Sequence, residues 1–234
     1  MDDFVDDGSS EFAKKTYNDI NIDRNNEFLL GPISTYGLIN DPKRIGFSFA
    51  RYKFVAKMFH GLNRVLEIGC QEGLGALIVA KEVNEVVGID FYKPHIDSCN
   101  KRLGNLPINN IKFFAKDILA NPIKESFDGV FALDVIEHID PIQEDLFMKN
   151  IVGSLSNKGL FILGTPSLES QAYASSVSKE GHINCKSGEQ WRSCCQKYFE
   201  HVFMFGMNDE VLHTGYLPMA HYIFTFCVDP LPGV

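Results

Sequence analysis

Arg64-Val65-Leu66-Glu67-Ile68-Gly69-Cys70-Gln71-Glu72-Gly73-Leu74-Gly75 reads as a strand, a glycine-rich turn and the opening of a helix. Val65, Leu66 and Ile68 make a short apolar run broken only by Glu67, the pattern of a strand buried on both faces. Gly69, Gly73 and Gly75 follow closely. A missing Cβ lets backbone turn sharply and approach a ligand. Ala76-Leu77-Ile78-Val79-Ala80 continues as a helix packed on the sheet. A loop between the carboxyl end of a parallel strand and a helix N-terminus is where open α/β sheets bind nucleotides.

Outward from this stretch, strands and helices alternate. Phe47, Ala50, Arg51, Phe54, Val55, Met58 and Phe59 recur at helical spacing and predict a helix over 47–62. Strands are expected at 85–90, 111–117, 127–134 and 159–164, with helices at 93–103 and 141–155. Such alternation implies parallel pairing through right-handed crossovers. Beyond residue 165 the pattern changes. Ser187 with Gln190 forms a capping-box signal for a helix through Lys197. Residues 202–207 and 221–228 read as two antiparallel strands joined by a long polar turn over 208–218.

The 234 residues are 45% hydrophobic with a net charge of −8. That suits a globular domain and argues against a nucleic-acid partner held by phosphate contacts. No apolar run approaches the roughly 18 residues of a membrane span, so no membrane partner is expected. The first residues include Asp2, Asp3, Asp6 and Asp7, the opposite of a signal peptide's basic start. Six cysteines contain no C-x-x-C pair, and Cys194-Cys195 is poor disulfide geometry. They read as reduced thiols of a cytoplasmic protein. Cys185, Cys194 and a histidine fit no usual zinc spacing, so no metal is expected.

The dinucleotide fingerprint G-x-G-x-x-G fails, because Gln71 stands where its second glycine belongs. The spacing Glu67-x-Gly69-x-x-x-Gly73-x-Gly75 instead resembles motif I of class I S-adenosylmethionine-dependent methyltransferases, with Gln71 at the family's middle glycine. Asp90 ends the second expected strand, where a carboxylate accepts both ribose hydroxyls of an adenosine. In the resembled family an acid at Asp117 receives the adenine amino group, and the amide of Ile118 faces the ring. Phe127 to Ile139 resembles the family's strand-4 motif, including Glu137-His138, and Leu155-Ser156-Asn157-Lys158-Gly159 resembles its turn before strand 5. The resemblance spans about residues 50–165.

It implies an α/β fold: a Rossmann-like, doubly wound, mostly parallel seven-stranded sheet with an antiparallel edge hairpin and an N-terminal lid. Residues 1–45 are expected to form the N-terminal extension and lid, and 46–234 the cofactor-binding domain. S-adenosylmethionine is the implied cofactor. Glu67, Gly69, Cys70, Gln71, Gly73, Asp90, Phe91, Asp117, Ile118 and Asp134 are its expected neighbours, with Glu67 ordering the loop and the methionyl ammonium. Cys70 reads as a small residue fitted between glycines. Phe91 is expected beside adenine.

The sulfonium makes its own methyl electrophilic, so the protein need only orient and deprotonate the acceptor. His138, after strand 4, and His182, after strand 5, are the candidate bases. His213 and His221 read as hairpin residues, and Trp191 as core. The implied function is methylation of a small molecule, most simply at oxygen, similar to the ubiquinone-biosynthesis-like and sugar-modifying branches. No Asn-Pro-Pro-Tyr-type motif follows strand 4, where Asp134-Val135-Ile136-Glu137 stands. Alternatives are a catalytically silent module of the same fold, an N-methyltransferase, or a nicotinamide dehydrogenase disfavoured by the failed fingerprint. The expected partner is a small-molecule methyl acceptor, on a monomer or homodimer.

Overall fold

Strand β1 (Arg64–Ile68) pairs in parallel with β2 (Glu85–Asp90) on one side and with β4 (Phe127–Leu133) on the other. This central position explains its composition. Both faces are covered, so Val65, Leu66 and Ile68 are all buried, and Glu67 is buried with them. The computed structural model describes residues 29–104, 106–120 and 123–233. The expectations for residues 1–28 lie outside the described residues.

The remaining strands are β3 (Ile111–Ala115), β5 (Leu155–Pro166), β6 (Phe199–Asn208), β7 (Val211–His213) and β8 (Tyr222–Pro230). Their order is β3-β2-β1-β4-β5-β8-β6-β7. The pairs from β3 to β5 are parallel, and those among β5, β8, β6 and β7 are antiparallel. Strand order reverses between β1 and β4. The carboxyl ends of those two strands therefore flank the crevice in which such sheets bind ligands.

The sheet has eight strands rather than the expected seven. The extra one is β7, three residues inside the segment read as a polar turn, paired with Gly206–Asn208. It is too short to show a period of two. The Leu155–Gly159 turn is also different: Leu155 already pairs with Phe127, and the register then shifts before Gly129 meets Leu160.

Helix α1 is Pro32–Asn40 and helix α2 is Lys43–Met58. The expected domain boundary at residues 45 and 46 falls inside α2, and residues 31–45 belong to the same compact unit as the sheet. Helix α2 stops earlier than its apolar spacing suggests, with Gly61 at a φ of +81° just beyond. Helices α3 (Leu74–Val79), α4 (Lys93–Leu103) and α5 (Glu144–Ser154) are the crossovers. Helix α6 is Ser176–Gly181 and α7 is Gly188–Cys195. Helix α7 opens with the reciprocal Ser187–Gln190 capping box.

Val130, Ala132, Ile136, Phe147, Ile151, Phe161 and Leu163 form the centre of the main core with Trp191 and Phe199. Trp191 is fully buried, as a core residue should be. At roughly 1.5–3 kcal/mol for each large apolar side chain buried, this cluster is what holds the strand ends in place. No helix among the described residues is long and apolar enough to cross a membrane.

Candidate functional site

The glycine-rich loop leaves β1 by folding back onto β2. The Gly69 and Cys70 N–H groups both donate to the Ile89 carbonyl, at 2.8 and 3.0 Å. Gly69 and Gly73 each have a φ of +74°, which a side chain resists. Gly75 is needed for a different reason: a Cβ there would lie 1.9 Å from the Tyr52 ring. Gln71 takes a φ of +45° without being glycine, a conformation that costs an ordinary residue roughly 1–2 kcal/mol. Its backbone is held at both ends. The Gln71 N–H donates to Asp90 Oδ2 at 3.0 Å, and the Cys99 thiol donates to its carbonyl at 3.2 Å. Cys70 is buried, with its Cβ against Gly88.

Asp90 ends β2 and is largely buried. Besides Gln71, its carboxylate accepts the Tyr92 N–H at 2.8 Å, and His95 Nδ1 lies 3.5 Å away. The acid expected to read a ribose thus also fastens the loop to the sheet. Asp117 follows β3, and its Oδ1 accepts the Leu119 N–H at 2.9 Å. Ile118 beside it is buried. Phe91 stands 78% exposed, outside the core, where a ring has free faces to offer.

Two residues missing from the sequence-predicted set come from α2. Tyr52 is half-buried against Phe131, with ring centroids 6.2 Å apart, and faces Glu67. Burial pushes the Glu67 carboxyl up to about 8; Cys99 and Asp90 add to this, while Tyr52 opposes it. Glu67 Oε2 is buried without a hydrogen-bond partner. Arg51, one residue before Tyr52, reaches Asp134 from 83 positions away, its Nη1 donating to both carboxylate oxygens at 2.8 and 3.1 Å. Its guanidinium stacks 3.7 Å above the Tyr222 ring. Arg51 Nε and Tyr222 Oη are buried and unpartnered. The sequence carried a signal for Arg51 alone. Arg51 sits on the apolar stripe of its helix, four residues after Phe47 and four before Val55, where a cation is out of place unless it has buried work.

Asp134 itself has a φ of +55° at the exit of β4. The chain then makes a short 3-10 helix, Ile136–His138. Glu137 points inward and is buried. Thr165 Oγ1 donates to its Oε2 at 3.2 Å, while its Oε1 has no partner. Burial, then the Asp134 charge, push the Glu137 carboxyl up to about 8. The Glu137 carbonyl accepts the N–H groups of Ile183 and Asn184 at 2.8 and 3.1 Å. Asn184 and Lys186 are in turn tied to Glu144 on α5. These bonds bring the loop bearing His182 against His138, with ring centroids 5.2 Å apart.

The two candidate bases therefore meet. His138 Nδ1 lies 2.9 Å from the Gly181 carbonyl, and His182 Nδ1 lies 2.9 Å from Gln171 Oε1. Both partners are acceptors, so each Nδ1 carries the proton and each neutral ring keeps its Nε2 lone pair. Burial, then the His138 charge, lower the His182 pKa. Glu137, His138 and His182 each place a ligand atom within 4.8 Å of the others. Two Nδ1-anchored imidazoles and an unpartnered carboxylate oxygen form a donor set suited to a divalent cation. The sequence reading assigned no metal, because these ligands come from two distant loops and follow no spacing rule.

The sheet order, the acids ending successive strands and the loop after β1 define a Rossmann-like domain. Residues 65–159 match the family model described as "Methyltransferase domain". That stretch is similar to methyltransferase domains, and so are the relatives and solved structures it resembles. A ubiquinone biosynthesis O-methyltransferase from Rickettsia bellii is 33% identical over 114 residues, covering 47% of this chain and 44% of that protein. The chain thus matches less than half the length of this curated relative. Among solved structures, the N-methyltransferase NodS from Bradyrhizobium japonicum WM9, in complex with S-adenosyl-L-homocysteine, superposes with a TM-score of 0.62. It is 17% identical, over 83% of this chain and 91% of that one. A small RNA methyltransferase HEN1 structure gives a TM-score of 0.64 at 18% identity, over 78% of this chain and 25% of that one. At these identities the likeness establishes the fold.

Proposed function

We propose that this chain transfers the methyl group of S-adenosylmethionine to a hydroxyl of a small molecule. One observation carries the reading. The Glu137, His138 and His182 cluster sits at the exits of β4 and β5, on the same sheet end as the acids Glu67 and Asp90. The printed name of the Rickettsia bellii relative, an O-methyltransferase, supports transfer to oxygen. The net charge of −8 supports a small acceptor over a nucleic acid.

Asp90 takes the ribose hydroxyls. Asp117, the Ile118 amide and Phe91 take the adenine. Gly69, Cys70, Gln71 and Gly73 form the floor under the methionyl end. Glu67 receives its ammonium, and Arg51, with its unpartnered Nε beside Asp134, offers a donor to its carboxylate. At neutral pH His182 is uncharged, so its Nε2 is available to take the acceptor's proton as the oxygen attacks the sulfonium methyl. A divalent cation held by Glu137, His138 and His182 would occupy that lone pair and would instead supply Lewis-acid activation of the hydroxyl.

Calorimetric titration with S-adenosylhomocysteine tests the cofactor assignment, and absence of binding to the pure chain sinks it. Asp90→Ala is expected to weaken binding by roughly 1–3 kcal/mol, the cost of orphaned hydrogen bonds. Because Asp90 holds the Gln71 amide on Oδ2 and the Tyr92 amide on Oδ1, Asp90→Asn keeps one of these loop bonds, loses the other together with the charge, and so gives an intermediate loss. Unchanged affinity in both variants removes Asp90 from the site. Release of S-adenosylhomocysteine with any hydroxylated acceptor decides against a silent binding module.

A further inference from the structure

We propose that helix α1 is a lid latched to the cofactor loop by Glu72, so that capturing the cofactor and ordering the helix are one coupled step. The inference rests on the cofactor reading above but concerns a residue that reading does not use.

Helix α1 has nine residues and buries none of them. Ile33, Tyr36, Leu38 and Ile39 are exposed. A helix this short is marginal in water by itself. Its N-cap, Gly31, offers no side-chain oxygen. The cap comes instead from a residue 38 positions away. The Ile33 and Ser34 N–H groups donate to the two Glu72 carboxylate oxygens, each at 2.9 Å, and Ser34 Oγ donates to Oε2 at 2.6 Å. Gly31 has to be glycine for this fit, since a Cβ there would lie 2.2 Å from the Glu72 carboxyl carbon. A carboxylate at this end also matches the helix dipole.

Glu72 is not an independent anchor. It lies in the loop between Gln71, whose N–H is held by Asp90, and Gly73, with its positive φ. Its own carbonyl accepts Arg102 Nη2 at 2.7 Å. The position of its carboxylate is therefore set by the loop conformation. A ligand that fixes the loop fixes the cap, and a fixed cap favours the helix. By thermodynamic reciprocity, a more stable helix must then favour the ligand.

The test uses the full chain and S-adenosylhomocysteine. Hydrogen exchange over residues 33–40 should slow about tenfold or more on saturation. Glu72→Ala should abolish that protection and weaken binding on the order of fivefold, the lower end of typical coupling. Since Glu72 also shapes the loop, the deciding variants lie away from it. A Cβ at Gly37 meets nothing within 4 Å. Gly37→Ala should therefore strengthen the helix without a clash and tighten binding roughly two- to fourfold, whereas Gly37→Pro should break the helix and weaken binding. If the wild-type chain binds S-adenosylhomocysteine while exchange over 33–40 stays fast, the latch is wrong. It is equally wrong if both Gly37 variants bind with wild-type affinity. If the wild-type chain does not bind S-adenosylhomocysteine at all, the cofactor reading falls, and the latch with it.

Discussion

Glu67→Gln is expected to raise the melting temperature of the ligand-free protein near about pH 9, by on the order of 10 °C, while weakening S-adenosylhomocysteine binding. The wild-type carboxyl is fully buried on the central strand, and its pKa rises from 4.5 to about 8. Desolvation is the main cause, with Cys99 and Asp90 adding to it. Between these two values the folded chain holds a proton that the unfolded chain has released. Stability from this group is therefore complete at acid pH, declines above the ordinary carboxylate range, and is lost as pH passes through about 8. The difference in pKa corresponds to about 5 kcal/mol at most, and each kcal/mol moves the melting temperature of a domain this size by roughly 2–4 °C. Glutamine has nearly the same shape and never ionises. Scanning calorimetry near about pH 5 and about pH 9 should show the wild-type and variant curves diverging as pH rises; an equal gap at both pH values refutes the assignment. The same carboxyl explains the loss of binding. The cofactor's ammonium would pull Glu67 into its ionised form, so binding near neutral pH should release a proton, measurable as a dependence of the apparent enthalpy on buffer ionisation heat.

The parallel half of the sheet was legible in the sequence because both-face burial writes a continuous apolar run, as in Val65–Ile68 and Val86–Ile89, bounded by glycine or an acid. The acids Glu67 and Asp90 were legible for the same reason: a charge inside or ending such a run is conspicuous. What was not legible depends on chain crossings. Arg51 meets Asp134 across 83 positions, and Glu72 caps a helix 38 positions upstream. No local pattern encodes either pairing. Gln71 shows the opposite failure. It looked like a departure from the glycine rule, yet its left-handed backbone is held by Asp90 and Cys99, which supply what a glycine would supply by freedom alone. The antiparallel edge was read with one strand too few, since β7 spans only three residues and gains its identity from pairing with β6.

His138→Ala and His182→Ala are each expected to lower kcat by roughly 10²–10⁴, the usual contribution of a positioned proton acceptor, while S-adenosylhomocysteine affinity changes by less than about threefold. The separation follows from placement. Both rings lie beyond β4 and β5, whereas all the residues expected to hold the cofactor except Asp134 cluster at the exits of β1, β2 and β3, and Asp134 is bound by Arg51 and by neither ring. The double variant is the sharper measurement. If the two rings act as one device, with Nδ1 protons fixed by Gly181 and Gln171 and both Nε2 atoms turned to the same hydroxyl, the second substitution has little left to remove. The double loss should then resemble the larger single loss rather than their product. Multiplicative losses would mean that the rings act separately and that the pairing at 5.2 Å is only packing. Glu137→Gln and chelation distinguish the two ways such a device works. Where a cation held by the cluster activates the hydroxyl, both abolish turnover, and added divalent ion restores the chelated wild type but not the Glu137 variant. Where His182 takes the proton unaided, chelation leaves the rate unchanged, and Glu137→Gln, which keeps the backbone carbonyl that holds the His182 loop, leaves it nearly unchanged as well.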